Sequence, residues 1–258
     1  MHSKFRRFCE RLWKDWLREE LKVSADVQSR FQMDHLPEPY LRFGTARKPL
    51  CVLTTNPGAG MPHQHRKKIL SGASVVDPSK TYRTAAIKMA RFYTAELSGQ
   101  AGTRRRGLMH LARCGGHDGF LQYESCPFHS KSLPNKKKLP ELIETDPLLR
   151  DYVSLLREAL RDESVVTLSA VSSKGTISPS SISTSPWLTW QAGLMDLALD
   201  RAKVLPLSKK QSRVTSALIY SRSRGNVKAI LLMMGGNHLP AAEHRETAAK
   251  ILRRRPKS

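Results

Sequence analysis

The chain has 258 residues, of which 40% are hydrophobic, and its formal net charge at pH 7 is +22. That length suits one α/β domain with a sizeable core, so we expect a single domain over 1–258, with an N-terminal helix within 1–24 and a basic tail over 253–258. No apolar run approaches the roughly 18 residues that a membrane span needs, and the N-terminus lacks the apolar core of a signal peptide. The composition therefore excludes an integral membrane protein and predicts a cytoplasmic one.

The excess of basic residues is the strongest compositional signal. Lysine and arginine together number 44, against 22 aspartate and glutamate residues. A fold does not need this excess, and self-repulsion opposes it, whereas a polyanionic partner explains it. We therefore expect a nucleic acid as the partner. An anionic membrane surface and a generically basic soluble protein are the alternatives.

Apolar patterning predicts an alternation of helices and strands. Apolar residues spaced three and four apart predict helices at 3–22, 81–97, 146–161, 187–199 and 241–254. Continuous apolar runs predict strands at 50–54, 120–123, 165–170, 214–220 and 227–234. Strands that alternate with helices are typical of an α/β fold, so we expect a three-layer α/β/α sandwich with a central, mostly parallel sheet.

Two of the predicted strands end in loops that carry polar side chains among Gly and Pro. The strand at 50–54 runs into Thr55-Asn56-Pro57-Gly58-Ala59-Gly60, and the strand at 227–234 runs into Gly235-Gly236-Asn237-His238-Leu239-Pro240. If the two strands are neighbours in one parallel sheet, Asn56 and His238 face the same crevice, where α/β folds bind ligands. The alternative is a pair of ordinary turns, because Asn-Pro and Pro-Gly are common turn dipeptides.

These two loops resemble the motifs of a known family, the uracil-DNA glycosylase superfamily. Thr54-Thr55-Asn56-Pro57-Gly58 is similar to the first motif, in the Asn-Pro-Gly version of the mismatch and thymine-DNA glycosylase branch. Asn237-His238-Leu239-Pro240 resembles a variant of the second motif. Thr54 stands where the family has Gly, and the usual Ser of the second motif is missing. The resemblance extends from about residue 37 to the end and implies a uracil-DNA-glycosylase-like fold.

The resemblance also implies roles for individual residues. Asn56 would orient the water that attacks the sugar, and His238 would stabilise the negative charge that develops on the leaving base. Leu239 would be the wedge that fills the gap in the duplex once the nucleotide is flipped out. The remaining residues of the two motifs that would line the substrate pocket are Pro57, Gly58 and Asn237. The implied activity is that of a monofunctional DNA glycosylase, which needs no cofactor and leaves an abasic site.

Gly58 and the strand at 120–123 suggest which base is removed. In the resembling family a tyrosine at the position of Gly58 excludes substituents at the pyrimidine 5-position, so Gly58 would admit bulky bases. In the resembling family, a strand at this place carries a residue that recognises the extruded base. Glu124 would suit cytosine, because a carboxylate accepts a hydrogen bond from the exocyclic amine of that base. Phe128 would stack on the base. The alternatives are a surface Glu and a core Phe. Bacterial relatives in this family include an anti-phage glycosylase that removes glucosylated 5-hydroxymethylcytosine, so modified phage DNA is one expected substrate and mismatch repair the other.

Basic segments near these motifs predict contacts with the DNA backbone. Arg104, Arg105 and Arg106 lie between glycines in what we interpret as a flexible loop, and Lys136, Lys137 and Lys138 follow the strand at 120–123. Lysine and arginine contacts with phosphates give affinity without sequence preference. We therefore expect the chain to bind double-stranded DNA as a monomer, in the bacterial cytoplasm or on the nucleoid, and not to bind membranes.

The cysteines offer a second interpretation. No disulfide framework is evident among the four, and reduced thiols are expected. Cys114 and His117 form one C-x-x-H pair and Cys126 and His129 another, which together match the ligands of a tetrahedral zinc site. The alternative function is then a non-catalytic basic nucleic-acid-binding protein with structural zinc. A phosphate-handling α/β enzyme is a third possibility, but the chain has no Walker-type loop.

Overall fold

The computed structural model describes residues 3–44, 49–55, 58–60, 64–71, 103–131, 138–171, 182, 184–210, 213–223, 226–234 and 241–253. Within these ranges the helices are α1 (Ser3–Leu17), α2 (Ala25–Arg30), α3 (Arg66–Ser71), α4 (Thr103–Cys114), α5 (Leu139–Thr145), α6 (Pro147–Arg161), α7 (Pro186–Met195) and α8 (Ala242–Leu252). The strands are β1 (Tyr40–Gly44), β2 (Leu50–Thr54), β3 (Gly119–Glu124), β4 (Val165–Val171), β5 (Lys203–Lys210), β6 (Arg213–Ser223) and β7 (Asn226–Met234). The predicted helix at 81–97 lies outside the described residues.

The strands form one seven-stranded sheet in the order β1-β3-β2-β4-β7-β6-β5. β4 pairs in parallel with β2 on one side and with β7 on the other, and β5, β6 and β7 form an antiparallel meander. The prediction of an α/β fold with a central, mostly parallel sheet is confirmed. The two strands that precede the motif loops, β2 and β7, are not neighbours, because β4 lies between them. All three run in the same direction, so β2 and β7 end at the same edge of the sheet.

The described residues fall into two compact units that interleave along the chain. The first draws on 1–41, 54–92 and 123–159, and the second on 42–53, 93–122 and 160–258. The predicted single-domain organisation stays a prediction. No helix among the described residues has the length and apolar character to cross a bilayer.

The core of the first unit is built on α1. Phe5, Phe8, Leu12, Trp13 and Trp16 are buried on one face, as their spacing predicts. The indole N–H of Trp13 donates to Pro37 O at 2.7 Å and that of Trp16 donates to Met33 O at 2.8 Å. The helix therefore fixes the segment 33–37. It ends at Leu17, earlier than predicted, and Glu19 just beyond adopts a left-handed backbone with φ 61°.

A buried lysine lies in the core of the second unit. Lys228 is 1% exposed on β7, and its Nζ donates to the carbonyls of Leu160, Arg161 and Glu163 at the end of α6. The last carbonyls of a helix lack partners within it, and a cation there also interacts favourably with the helix dipole. Burial lowers the pKa of this ammonium group. Lys228 thus caps α6 from inside the fold.

The sequence prediction of a flexible loop at 102–107 is wrong, and strands β1 and β5 were not predicted. The segment predicted as a flexible loop at 102–107 contains the start of α4, where Arg104, Arg105 and Arg106 have helical backbone. The helix forms because Leu108, Leu111 and Ala112 make a buried stripe that outweighs the flanking glycines. Strand β5 was missed because Pro206 and the three lysines of 203–210 conceal its apolar pattern. β5 is the last strand in the sheet order, and an edge strand tolerates a proline.

Candidate active site

The chain segments that follow β2 and β3 are hydrogen-bonded to each other. Three backbone bonds join them, from Ser125 N to Thr54 O at 2.8 Å, from Cys126 N to Thr55 O at 2.9 Å, and from Ser130 N to Gly58 O at 2.8 Å. The carboxyl ends of the two strands therefore lie side by side. Thr55 and Gly58 flank Asn56 and Pro57 in sequence, so the segment 125–130 fixes the backbone on both sides of that dipeptide.

Glu124, the last residue of β3, is fully buried beneath this junction. Its Oε2 accepts a hydrogen bond of 2.6 Å from Thr54 Oγ1, and its backbone carbonyl accepts one of 2.6 Å from Tyr152 Oη. Its backbone N–H donates to Pro39 O at 3.1 Å. Buried carboxyl groups need such partners because desolvation is costly. The alternative of a surface Glu is wrong, and Thr54 orients the carboxyl group.

His129 holds the same loop from the other side. Its ring is buried, with Nε2 3.0 Å from Leu36 O and Nδ1 3.2 Å from Gly58 O. Burial lowers the pKa of His129 to about 4, so the ring is neutral at pH 7 and donates its single N–H to one carbonyl at a time. Glu38 Oε1 lies 3.8 Å from Nε2. His129 therefore ties the backbone next to the Asn-Pro dipeptide to the segment that precedes β1.

The segment 32–38 supplies a second set of contacts to the loop after β2. Gln32 Oε1 accepts from Gly60 N at 2.9 Å, and Gln32 N donates to His129 O at 2.8 Å. His35 lies so close to Gly60 that a Cβ there would be 2.2 Å from its ring. Asp34 holds this ring, with Oδ1 2.8 Å from His35 Nδ1. Only a glycine fits at position 60.

The residues predicted for catalysis lie beyond what the structure describes. Asn56, Pro57, Asn237, His238 and Leu239 are outside the described ranges. Their roles stay predictions, as does their meeting in one pocket. What the structure adds is the position of their flanking residues after β2 and the common direction of β2 and β7.

Besides Glu124, two predicted pocket residues are described, and they differ in exposure. Gly58 has φ +85°, a left-handed conformation that favours glycine, and none of the described atoms lies within 4 Å of a Cβ built there. Phe128 is 1% exposed, and its ring centroid lies 6.2 Å from that of Phe31. Core packing accounts for Phe128 in this conformation, and a stacking role would require the ring to become exposed.

The basic residues predicted to contact DNA are described in part. Arg106 is exposed on α4, and Lys138 is exposed at the start of α5. The side chains of Arg104 and Arg105 are outside what the structure describes, and so are Lys136 and Lys137. The phosphate-binding role of all six stays a prediction.

The C-x-x-H pairs have other contacts in the described structure. His129 directs both ring nitrogens at backbone carbonyls, and burial raises the pKa of Cys126 to about 12, which keeps it a thiol. His117 Nε2 lies 3.4 Å from Leu252 O. Zinc needs a thiolate and an unprotonated ring nitrogen. The described contacts of His129 are thus with the backbone, and the zinc quartet stays a prediction. Sequence reasoning, which weighed His129 for zinc, missed its role in holding the loop.

Comparisons with known proteins give no match: no protein-family model, curated protein or solved structure matches this chain. The geometry alone then defines the class of protein. It is a mixed α/β chain whose buried polar groups cluster where β2 and β3 end. Ligands of open α/β folds bind at this edge of the sheet.

Proposed function

We propose that this chain is a monofunctional DNA glycosylase that flips out a modified or mismatched pyrimidine, excises it and leaves an abasic site. The observation that carries the proposal is the junction of the loops after β2 and β3. It holds Thr55 and Gly58, which flank Asn56 and Pro57 in sequence, against the segment that follows Glu124. The proposal includes a three-layer α/β/α sandwich of the uracil-DNA-glycosylase type.

In the proposed site, Glu124 recognises the extruded base. Thr54 donates to one carboxylate oxygen, which orients the group rigidly. A carboxylate has two oxygens and about four acceptor sites, so it can accept the exocyclic amine of a cytosine-type base as well as Thr54. Because Glu124 is fully buried, this contact requires the carboxyl group to become exposed, as for Phe128. A thymine offers a carbonyl at that position and would be repelled. The favoured substrates are therefore modified cytosines.

Gly58 supports a base that is bulky at the 5-position. Its left-handed backbone selects against a large side chain, and none of the described atoms occupies the space next to it. A tyrosine at this position would act as a wall against 5-substituents. A glucosylated 5-hydroxymethylcytosine, as in modified phage DNA, is the bulkiest substrate that this opening favours.

The chemistry assigns separate roles to the two motif loops. Cleavage of the N-glycosidic bond builds positive charge on the sugar and negative charge on the base. Asn56 orients water toward the sugar, since an amide is too weak a base to deprotonate it. His238 donates a hydrogen bond to a base carbonyl oxygen as it becomes negative. β2 and β7 both run parallel to β4, so they end at one edge of the sheet. Both motif loops therefore follow strands that end at that edge.

The net charge of +22 supports DNA as the polyanion that carries the base. Exposed Arg106 and Lys138 belong to the basic segments that would contact its phosphates. The same charge also suits a non-catalytic nucleic-acid-binding protein. Base release separates the two functions, because salt-sensitive binding is common to both.

The test is release of free base from duplexes that contain uracil, a thymine mismatch, 5-hydroxymethylcytosine or its glucosylated form. We expect free base and alkali-cleavable abasic sites with one of these duplexes. Asn56→Ala and His238→Ala should slow release at least about a hundredfold, whereas His244→Ala, a matched change on α8, should leave it unchanged. Tight binding without release from any duplex would favour the binding protein, and release that survives both site variants would refute the residue assignment.

A further inference from the structure

Helices α4 and α8 of the second unit bring three metal-ligating side chains together. His110 and Cys114 are four residues apart on α4 and so share one face of it. Glu246 reaches the same place from α8. A donor atom from each of the three lies within 4.8 Å of the other two, and the cluster is half-buried to exposed.

The separations between these donor atoms are close to those around a zinc ion. His110 Nε2 lies 3.7 Å from Cys114 Sγ and 3.8 Å from Glu246 Oε1. Tetrahedral zinc with bonds of about 2.0–2.3 Å requires ligand separations of roughly 3.3–3.6 Å. These two separations are within a few tenths of an ångström of that geometry, and the third pair, Cys114 Sγ and the Glu246 carboxylate, lies within 4.8 Å. We propose that His110, Cys114 and Glu246 bind a zinc ion between α4 and α8.

The choice of zinc follows from the mixture of donors. A thiolate, an imidazole and a carboxylate combine soft, borderline and hard ligands, which zinc accepts in one tetrahedral shell, whereas magnesium and calcium require oxygen ligands. Three protein ligands leave the fourth position to water, since the cluster is open to solvent on the side of Glu246. The site is distinct from the C-x-x-H quartet, with which it shares only Cys114.

The position of α8 indicates what the ion would do. Near its end α8 is held by Arg222, which donates to Ile251 O at 2.8 Å, and by the contact of His117 with Leu252 O. Glu246 lies in its first half, so zinc would attach that half to α4. The helix begins two residues after the loop at 235–240. Zinc would thereby anchor the chain that follows this loop, whatever reaction the loop serves.

Arg245 provides a control that is specific to this site. Its Nε lies 3.4 Å from Nδ1 of His110. Cys114 Sγ is nearly equidistant from the two ring nitrogens, at 3.8 Å from Nδ1 and 3.7 Å from Nε2, and the contact with Glu246 singles out Nε2 as the metal-binding nitrogen. With a metal on Nε2 the proton moves to Nδ1, so the guanidinium must turn away, and its charge opposes that of the ion. Arg245→Met should therefore tighten metal binding roughly tenfold.

The experiment titrates the metal-stripped full-length chain with cobalt(II), followed by competition with zinc. We expect one cobalt ion per chain, with the absorption of tetrahedral cobalt and a thiolate-to-cobalt charge-transfer band. Cys114→Ser should abolish that band, and His110→Gln and Glu246→Gln should weaken binding by more than about tenfold. Circular dichroism checks that each variant is folded.

The control His117→Gln separates this site from the C-x-x-H quartet. The Gln side chain can still donate to Leu252 O and keep the end of α8 in place, so cobalt affinity and spectrum should be unchanged. Loss of binding in His117→Gln would move the metal to the quartet and overturn the proposal. Absence of a thiolate band, or binding that survives Cys114→Ser, would overturn it as well. The proposal does not depend on glycosylase activity, because every readout is metal binding.

Discussion

The buried neutral His129 makes the stability of the fold depend on pH. Its pKa is lowered from 6.5 to about 4, chiefly by burial. In the unfolded chain the ring takes up a proton below about 6.5, whereas in the folded chain it stays neutral until about 4. The stability associated with the neutral ring is therefore complete above about 6.5 and is lost as the pH falls through about 4. The folded and unfolded pKa values differ by about 2.5, and a pKa difference of one corresponds to about 1.4 kcal/mol, so the neutral ring contributes roughly 3 kcal/mol to the free energy of unfolding.

The assay is urea unfolding at several pH values between about 4 and 8. As the pH falls across this range, the free energy of unfolding of the wild-type chain should decrease by roughly 3 kcal/mol more than that of His129→Gln. The variant has no titrating group at this position. His244→Gln, a matched change on α8, should retain the wild-type dependence on pH. An NMR titration locates the pKa directly. A value at or above 6.5 would refute the reasoning, because it would mean that Glu38 and the two carbonyls outweigh burial.

Three further predictions concern stability, each measured by urea unfolding. Thr54→Val removes the donor to a buried carboxylate and should cost about 1–3 kcal/mol, whereas Thr54→Ser should keep most of that energy. Gly58→Ala places an alanine at φ +85°, and this backbone strain should cost about 1–2 kcal/mol. Gly193→Ala, on the exposed face of α7, should instead stabilise the fold by up to about 1 kcal/mol. Equal effects of the two substitutions would contradict backbone strain at position 58. Lys228→Met leaves three carbonyls at the end of α6 without their donor and should cost about 2 kcal/mol, whereas exposed Lys250→Met should change stability by less than about 0.5 kcal/mol.

Strands that are buried along their length were predictable from the sequence. The apolar runs at 50–54, 165–170 and 227–234 match β2, β4 and β7 to within one residue at each end. Strands of this kind are covered on both faces, so most of their residues are apolar, with Thr167, Ser169 and Lys228 among the exceptions. The edge strand β5 lacks that signal because lysines occur at both of its ends. The start of α4 was missed because local glycines and arginines conceal a helix that tertiary packing stabilises.

The contacts within the site could be predicted only in part. The sequence indicates that polar residues follow β2 and β3, since each apolar run stops at them. Strand order depends on contacts far apart in the chain, so the insertion of β4 between β2 and β7 was not predictable from either strand. The pairing of Thr54 with Glu124 joins residues 70 positions apart. From the sequence, Glu124 was expected either on the surface or in contact with the base, and its hydrogen bond with Thr54 was not predicted.

The most direct test of the proposed site is single-turnover release of base from a duplex that contains glucosylated 5-hydroxymethylcytosine. The wild-type chain should release the free base. Asn56→Ala should slow release at least about a hundredfold while the duplex still binds, because it removes only the orientation of water. Glu124→Gln should also slow release, since an amide no longer matches the exocyclic amine. Release by Asn56→Ala at the wild-type rate, or no release by the wild-type chain from any modified or mismatched pyrimidine, would contradict a base-excision site at the ends of β2 and β3.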